Sequence, residues 1–128
     1  HVMVCLGPPD GEHVVVDPFH GGVPREVEPL PLLEGSDLLL RVLTNIRALT
    51  ARSFESARTR LWATELSLLL PRHPVELRRE QGELLLRLGS FTSGATALED
   101  YAEIIEDAAP EEAEAARRQA RLGRARLN

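Results

Sequence analysis

A nine-residue segment occurs twice in this chain, and the distance between the copies constrains the fold more than any other feature. Ser53 to Leu61 reads S-F-E-S-A-R-T-R-L, and Ser90 to Leu98 reads S-F-T-S-G-A-T-A-L. Five positions are identical, Ala57 exchanges with Gly94, and the offset is 37 residues. Carried backward, that offset aligns Ala48 and Leu49 with Leu85 and Leu86, so each unit reads as a helix, a short Ser-Phe turn and a second helix. In such a pair the turn phenylalanine plugs the open end, the small residue lets the helices approach, and the leucine seals the seam. Chance identity among Ser, Leu and Ala is the competing explanation. The joint agreement of the aromatic, small and leucine positions favours a true repeat.

The texture upstream is different. Pro18, Pro24, Pro29 and Pro31, with Gly21, Gly22 and Gly35, make residues 18–35 a turn-rich connector through which no long helix can run. Ser36 then offers an N-cap, and Leu39, Val42, Leu43, Ile46 and Leu49 follow a helical period. Further helices are expected over about 54–70, 74–88, 92–107 and 110–123, with Pro74 and Pro110 at first-turn positions and Gly89 and Gly123 as C-terminal caps. The expected fold is mainly α: an N-terminal β-hairpin followed by about five helices stacked as pairs. Residues 1–35 form the hairpin and connector, and 36–128 the helical repeats with a capping helix.

The hairpin pattern is H-V-M-V-C-L, the turn G-P-P-D-G, then H-V-V-V-D-P-F. A five-residue loop centred on Pro9 places His1 opposite Asp17 and Cys5 opposite His13, with β-carbons about 5 Å apart. A histidine oriented by a carboxylate is two-thirds of a catalytic triad, lacking the nucleophile. Val2, Val4, Val14 and Val16 would turn one apolar face toward the helices.

Composition excludes several classes. At 128 residues, 43% hydrophobic and 27% charged, the chain can bury a core, and no apolar run approaches the roughly 18 residues of a membrane span. One cysteine forms no internal disulfide and agrees with a reducing compartment, so a cytoplasmic location is expected. With no initiating Met and no signal-like segment, His1 reads as a truncation point. The net charge of −5 argues against a nucleic-acid partner. All fifteen basic residues are arginine, which fits a GC-rich genome. Glu99–Glu114 holds eight acids and no base, whereas Arg117–Arg126 holds five arginines and no acid. Arg117, Arg121 and Arg124 share a stripe, read as the solvated side of the last helix with Glu114 paired to Arg118, or alternatively as an anion site.

The helix pairs resemble the tetratricopeptide repeat. Three departures stand out: Arg41 and Arg78 occupy the usual first-helix tryptophan position, Pro71 and Pro110 lie late, and Gly94 replaces alanine. Two repeats are fewer than the roughly three that an isolated stack needs, so the last helix and the hairpin region are expected to cap it. The combination of V-V-V-D-P-F-H-G-G with L-T-N-I-R-A-L and the repeats behind them resembles the C-terminal portion of the bacterial family of regulators of sirC expression. There a transglutaminase-like domain precedes the repeats. The resemblance spans essentially the whole chain. It implies that His1 and Asp17 are the histidine and aspartate of a cysteine-histidine-aspartate site whose nucleophile region precedes His1.

Cys5 is a poor substitute nucleophile, because four residues of strand separate it from His1 by about 13 Å. It reads better as a small apolar residue. His1, His13, Asp17 and His20 lack the spacing of a known metal signature, and His73 reads as a solvated loop residue. There is no phosphate-binding glycine loop or G-x-S-x-G elbow, so no cofactor and no metal is expected. Two functions follow. One is a noncatalytic interaction module whose groove, lined by Arg41, Asn45 and Arg47 in one unit and Arg78, Glu83 and Arg87 in the next, binds a protein or peptide partner. The plainer alternative for these six is ordinary exposed helix residues. The second function is a fragment of an acyltransferase or amide hydrolase, inactive in this chain alone, with His1 as acid/base and Asp17 orienting it.

Overall fold

The V-C-L and V-V-V runs pair as an antiparallel hairpin in the computed structural model, which describes residues 3–8, 11–12, 14–22, 24–25, 34–53 and 55–126. The chain forms two compact units, His1–Leu32 and Leu33–Asn128. In the first, β1 (Val4–Leu6), β2 (Val14–Val16) and β3 (Pro24–Arg25) make a three-stranded antiparallel sheet in the order β1-β2-β3. Val4 faces Val16, Cys5 faces Val15 and Leu6 faces Val14, two residues out of the expected register. The reason lies in the turn. The Gly11 N–H donates to the Pro8 carbonyl at 3.2 Å, and the described pairing resumes at Val14.

An even shift leaves side chains on their original faces. Val4, Leu6, Val14 and Val16 therefore share one, with Val4, Leu6 and Val14 42, 57 and 46% exposed and Val16 half-buried, while Val2 lies outside the described residues.

The second unit contains α1 (Gly35–Thr50), α2 (Ala57–Leu68), α3 (Glu76–Arg87), α4 (Phe91–Ile105) and α5 (Pro110–Ala125), each packed on the next. The protein is thus mainly helical with a short N-terminal hairpin, as the periodicity predicts. Three local expectations need correction. Glu34 rather than Ser36 occupies the N-cap position of α1, α3 begins two residues beyond Pro74, and Gly123 lies inside α5 rather than capping it. A β-carbon at Gly123 would stand 2.6 Å from a Leu86 methyl, so this glycine makes room for a neighbouring helix. Gly89 does end α3: its φ is 86°, and the Ser90 N–H returns to the Leu85 carbonyl at 2.9 Å.

The tightest junction is α3 on α4. A β-carbon at Gly82 would lie 3.0 Å from the Gly94 carbonyl oxygen, and one at Gly94 would lie 2.9 Å from the Gly82 oxygen and 2.8 Å from the Leu86 nitrogen. Gly82 also abuts Leu98, and numbers therefore fall along α3 as they rise along α4, which makes the pair antiparallel. Ala95, Leu98 and Ala120 are fully buried with Leu86 against them, and Tyr101, Ala102, Ile105, Ala113 and Ala116 form a second cluster with Val75 and Ala109. Alanines on both sides of the α4/α5 seam keep these helices close. In α2 the buried positions are small or hydroxylated. Thr64 and Ser67 donate to the Arg60 and Ala63 carbonyls at 2.8 and 2.7 Å, which satisfies both hydroxyls inside the packed interior.

A recurring carboxylate ties each helix pair to the next helix. Glu80 of α3 accepts from Arg47 Nε of α1 at 3.0 Å and from Arg60 Nε of α2, with only 12% of its side chain exposed. Glu112 of α5 occupies the corresponding place one pair later. It accepts from Arg79 Nη1 of α3 at 2.8 Å and from the Tyr101 hydroxyl of α4 at 2.9 Å. Burial and this acceptor raise the Tyr101 pKa above its ordinary value. The arginine stretch of α5 reaches back to the acids at the α4 end of the acidic stretch, Arg117 to Glu106 and Arg124 to Glu99, while within α5 Glu114 binds Arg121 rather than Arg118.

Two predictions follow from these contacts. Gly94→Ala forces backbone atoms apart and is expected to lower stability by about 1–3 kcal/mol in urea unfolding, as overpacking does elsewhere. Glu80→Gln leaves two half-buried guanidiniums short of a countercharge and is expected to cost about 1–3 kcal/mol, whereas Glu112→Gln, at a site 43% exposed, is expected to cost less than about 1 kcal/mol.

Candidate functional site

The end of β2 carries the residue singled out for chemistry. Asp17 is fully buried, and its Oδ1 accepts the Phe19 N–H at 3.0 Å, capping a 3₁₀ turn over Pro18–His20. Its carbonyl takes the Gly22 N–H at 3.0 Å, and Gly21 and Gly22 adopt φ of 73° and 71°. The D-P-F-H-G-G run is therefore a closed turn built around this carboxylate, since proline starts it and the glycines supply its left-handed residues. His1 and His13 lie outside the described residues. Cys5 is half-buried and faces Val15, so the register does not set it against His13.

The six helical residues expected to line a groove divide among four surroundings. Arg41 and Asn45 are exposed one turn apart on α1. Arg47, about 120° from Arg41 and about 160° from Asn45 around that helix, turns to Glu80 and helps hold α1 on α3. On α3, Glu83 receives Arg79 Nε at 2.9 Å, and Arg87 is exposed one turn further on. Arg78 lies elsewhere on the helix and faces α2.

There it meets residues that sequence reasoning had not selected. Trp62, Leu66 and Leu69 recur at helical spacing along α2 and its C-cap and, with Glu65 and Leu68, form one wall of an open hollow of about 480 Å³ whose other wall is Arg78 and Gln81. Trp62 is 51% and Leu69 80% exposed, so the hollow presents the chain's only tryptophan to solvent beside an aliphatic side chain. Glu65 and Arg78 give the hollow one charge of each sign, and among the described residues no ion pair joins them. Of the four half-buried arginines in the helical unit, Arg47 and Arg60 bind Glu80 and Arg117 binds Glu106, while no carboxylate among the described residues binds Arg78. The sequence signal for this site was a lone tryptophan four and seven residues before two leucines, a pattern that a buried helix face produces equally well.

A second, shallow hollow at Pro110, Glu111, Glu114 and Arg118 is the outer surface of α5 alone. Among the described residues no three histidine, cysteine or acidic side chains converge as a metal site, and no described helix is long and apolar enough to cross a membrane.

The exposure of Trp62 has a measurable consequence. Trp62→Ala is expected to cost no more than about 1 kcal/mol in thermal or urea unfolding, against about 2–5 kcal/mol for Leu98→Ala in the packed seam. In comparison with known proteins, no family model, no curated protein and no solved structure matches the chain.

Proposed function

We propose that the helical unit is a noncatalytic, tetratricopeptide-like module for binding a protein or peptide partner, carried on the end of a transglutaminase-like domain. The observation that supports this reading is the open hollow at Trp62. An aromatic and a leucine left in water beside a half-buried arginine that pairs with no acid among the described residues match the composition of interface hot spots, which are enriched in tryptophan and arginine. The helices supply a rigid frame for such a surface, and Arg41, Asn45 and Arg87 add exposed polar contacts on other faces. The sirC-regulator resemblance supports a regulatory setting.

A second reading rests on Asp17. A fully buried carboxylate held in a closed turn suits the orienting member of a cysteine-histidine-aspartate site, so the chain would complete an acyltransferase or amide hydrolase whose nucleophile lies in another segment.

Three forms of the chain test the module reading as bait: the natural sequence, Trp62→Ala with Leu69→Ala, and Arg41→Ala with Arg87→Ala. The expected result is a partner retained by the first and released at least ten-fold more readily by one of the variants in surface-plasmon measurements. Equal retention by all three baits, or none by any, defeats the proposal.

A further inference from the structure

The hollow between α2 and α3 has a chemistry definite enough to name its ligand, granted the module reading. We infer that it binds an extended peptide segment carrying an aliphatic side chain with an aspartate or glutamate one or two residues away. The aliphatic group lies on Trp62, Leu66 and Leu69, where it removes apolar surface of both partners from water. The carboxylate meets Arg78. A guanidinium presents a planar fork of donors that a carboxylate engages at two points, and Arg78 is the half-buried arginine of this unit that no acid among the described residues occupies.

Two neighbours narrow the choice further. Glu65 lines the same hollow, so a dianionic phosphate on the ligand meets more repulsion than a single carboxylate does. Glu65 and Gln81 also offer acceptors, and Gln81 a donor, to the backbone amides of a chain laid across the opening. The volume, about 480 Å³, accommodates a small number of side chains and sits at the lower end of ligand-pocket sizes.

Trp62 is the only tryptophan in the chain, so its emission reports occupation of this hollow directly. The probes are the peptide acetyl-Gly-Leu-Glu-Leu-Gly-amide and its analogues with Gln, Lys or phosphoserine in place of Glu, titrated to millimolar concentration against the intact chain. The Glu peptide is expected to shift Trp62 emission saturably to shorter wavelength and to bind roughly ten-fold tighter than the Gln analogue. Arg78→Gln is expected to erase the difference between those two peptides, and Arg78→Lys to restore part of it, with circular dichroism unchanged in both variants.

The assignment fails if the Glu peptide gives no saturable shift, if the Gln or Lys peptide binds as well, or if Arg78→Gln leaves the preference intact. Tighter binding of the phosphoserine peptide, or an emission shift that follows protein concentration without peptide, overturns it in favour of a phosphopeptide or a second copy of the chain. A Glu peptide that binds by calorimetry without moving Trp62 emission, and is lost on Arg41→Ala with Arg87→Ala, overturns this site while leaving the module reading standing.

Discussion

The helical unit depends on one backbone contact, the approach of α3 to α4 at Gly82 and Gly94. Each glycine lacks a side chain at a point where the facing helix contributes a carbonyl oxygen, so the two backbones touch where other helix pairs interpose methyl groups. Once they are that close, Leu98 and Leu86 reach past the junction to Ala95, Ala120 and Gly123, and α5 is drawn in against the same seam. Short side chains at every crossing have a cost. Each alanine contributes little apolar area, and the burial must be spread over many residues rather than a few large ones.

Charge then fixes which helix neighbours which. Glu80 and Glu112 each gather donors from both members of the preceding pair, so the correct stacking order satisfies an acceptor that a slipped arrangement would leave unmet. The division of the last thirty residues into an acidic stretch and an arginine stretch has the same explanation. Glu99 and Glu106 sit on α4 where Arg124 and Arg117 of α5 pass them, and antiparallel packing brings the later arginine to the earlier acid. Because every one of these bases is arginine, the pairs do not loosen through deprotonation across the usual pH range.

Much of this architecture is written in local pattern. Helical periodicity and the punctuation at Gly89 and Pro110 placed five helices close to where they stand, since those signals act within a few residues. The errors share a cause. Gly123 carries the local signature of a cap, yet its role is set by Leu86, 37 residues away. The hairpin register turned on how many residues the loop absorbs, and Glu114 chose Arg121 over the nearer Arg118. The site was harder still. Arg47 and Arg78 look alike in the sequence, and only the fold reveals that Glu80 takes one and leaves the other to the hollow. Asp17 was legible as a special aspartate from the Pro and paired Gly after it, because that turn chemistry is local.

The distribution of burial along the helical unit carries a mechanical meaning. Ala95, Leu98, Ala102, Ala113 and Ala120 are wholly excluded from solvent, whereas the one buried residue of α1, Leu43, keeps 8% of its surface exposed and Leu38, Leu39, Val42 and Leu49 are exposed. Local opening free energies follow such differences. The unit accordingly has a firm end at α4 and α5 and a soft end at α1, which can shift its seating or exchange its hydrogen-bonded protons without disturbing the seam. The Trp62 hollow lies between these regimes, walled by α2 on the side nearer α1 and by α3 on the side nearer the seam, so its width can change without opening α4 from α5.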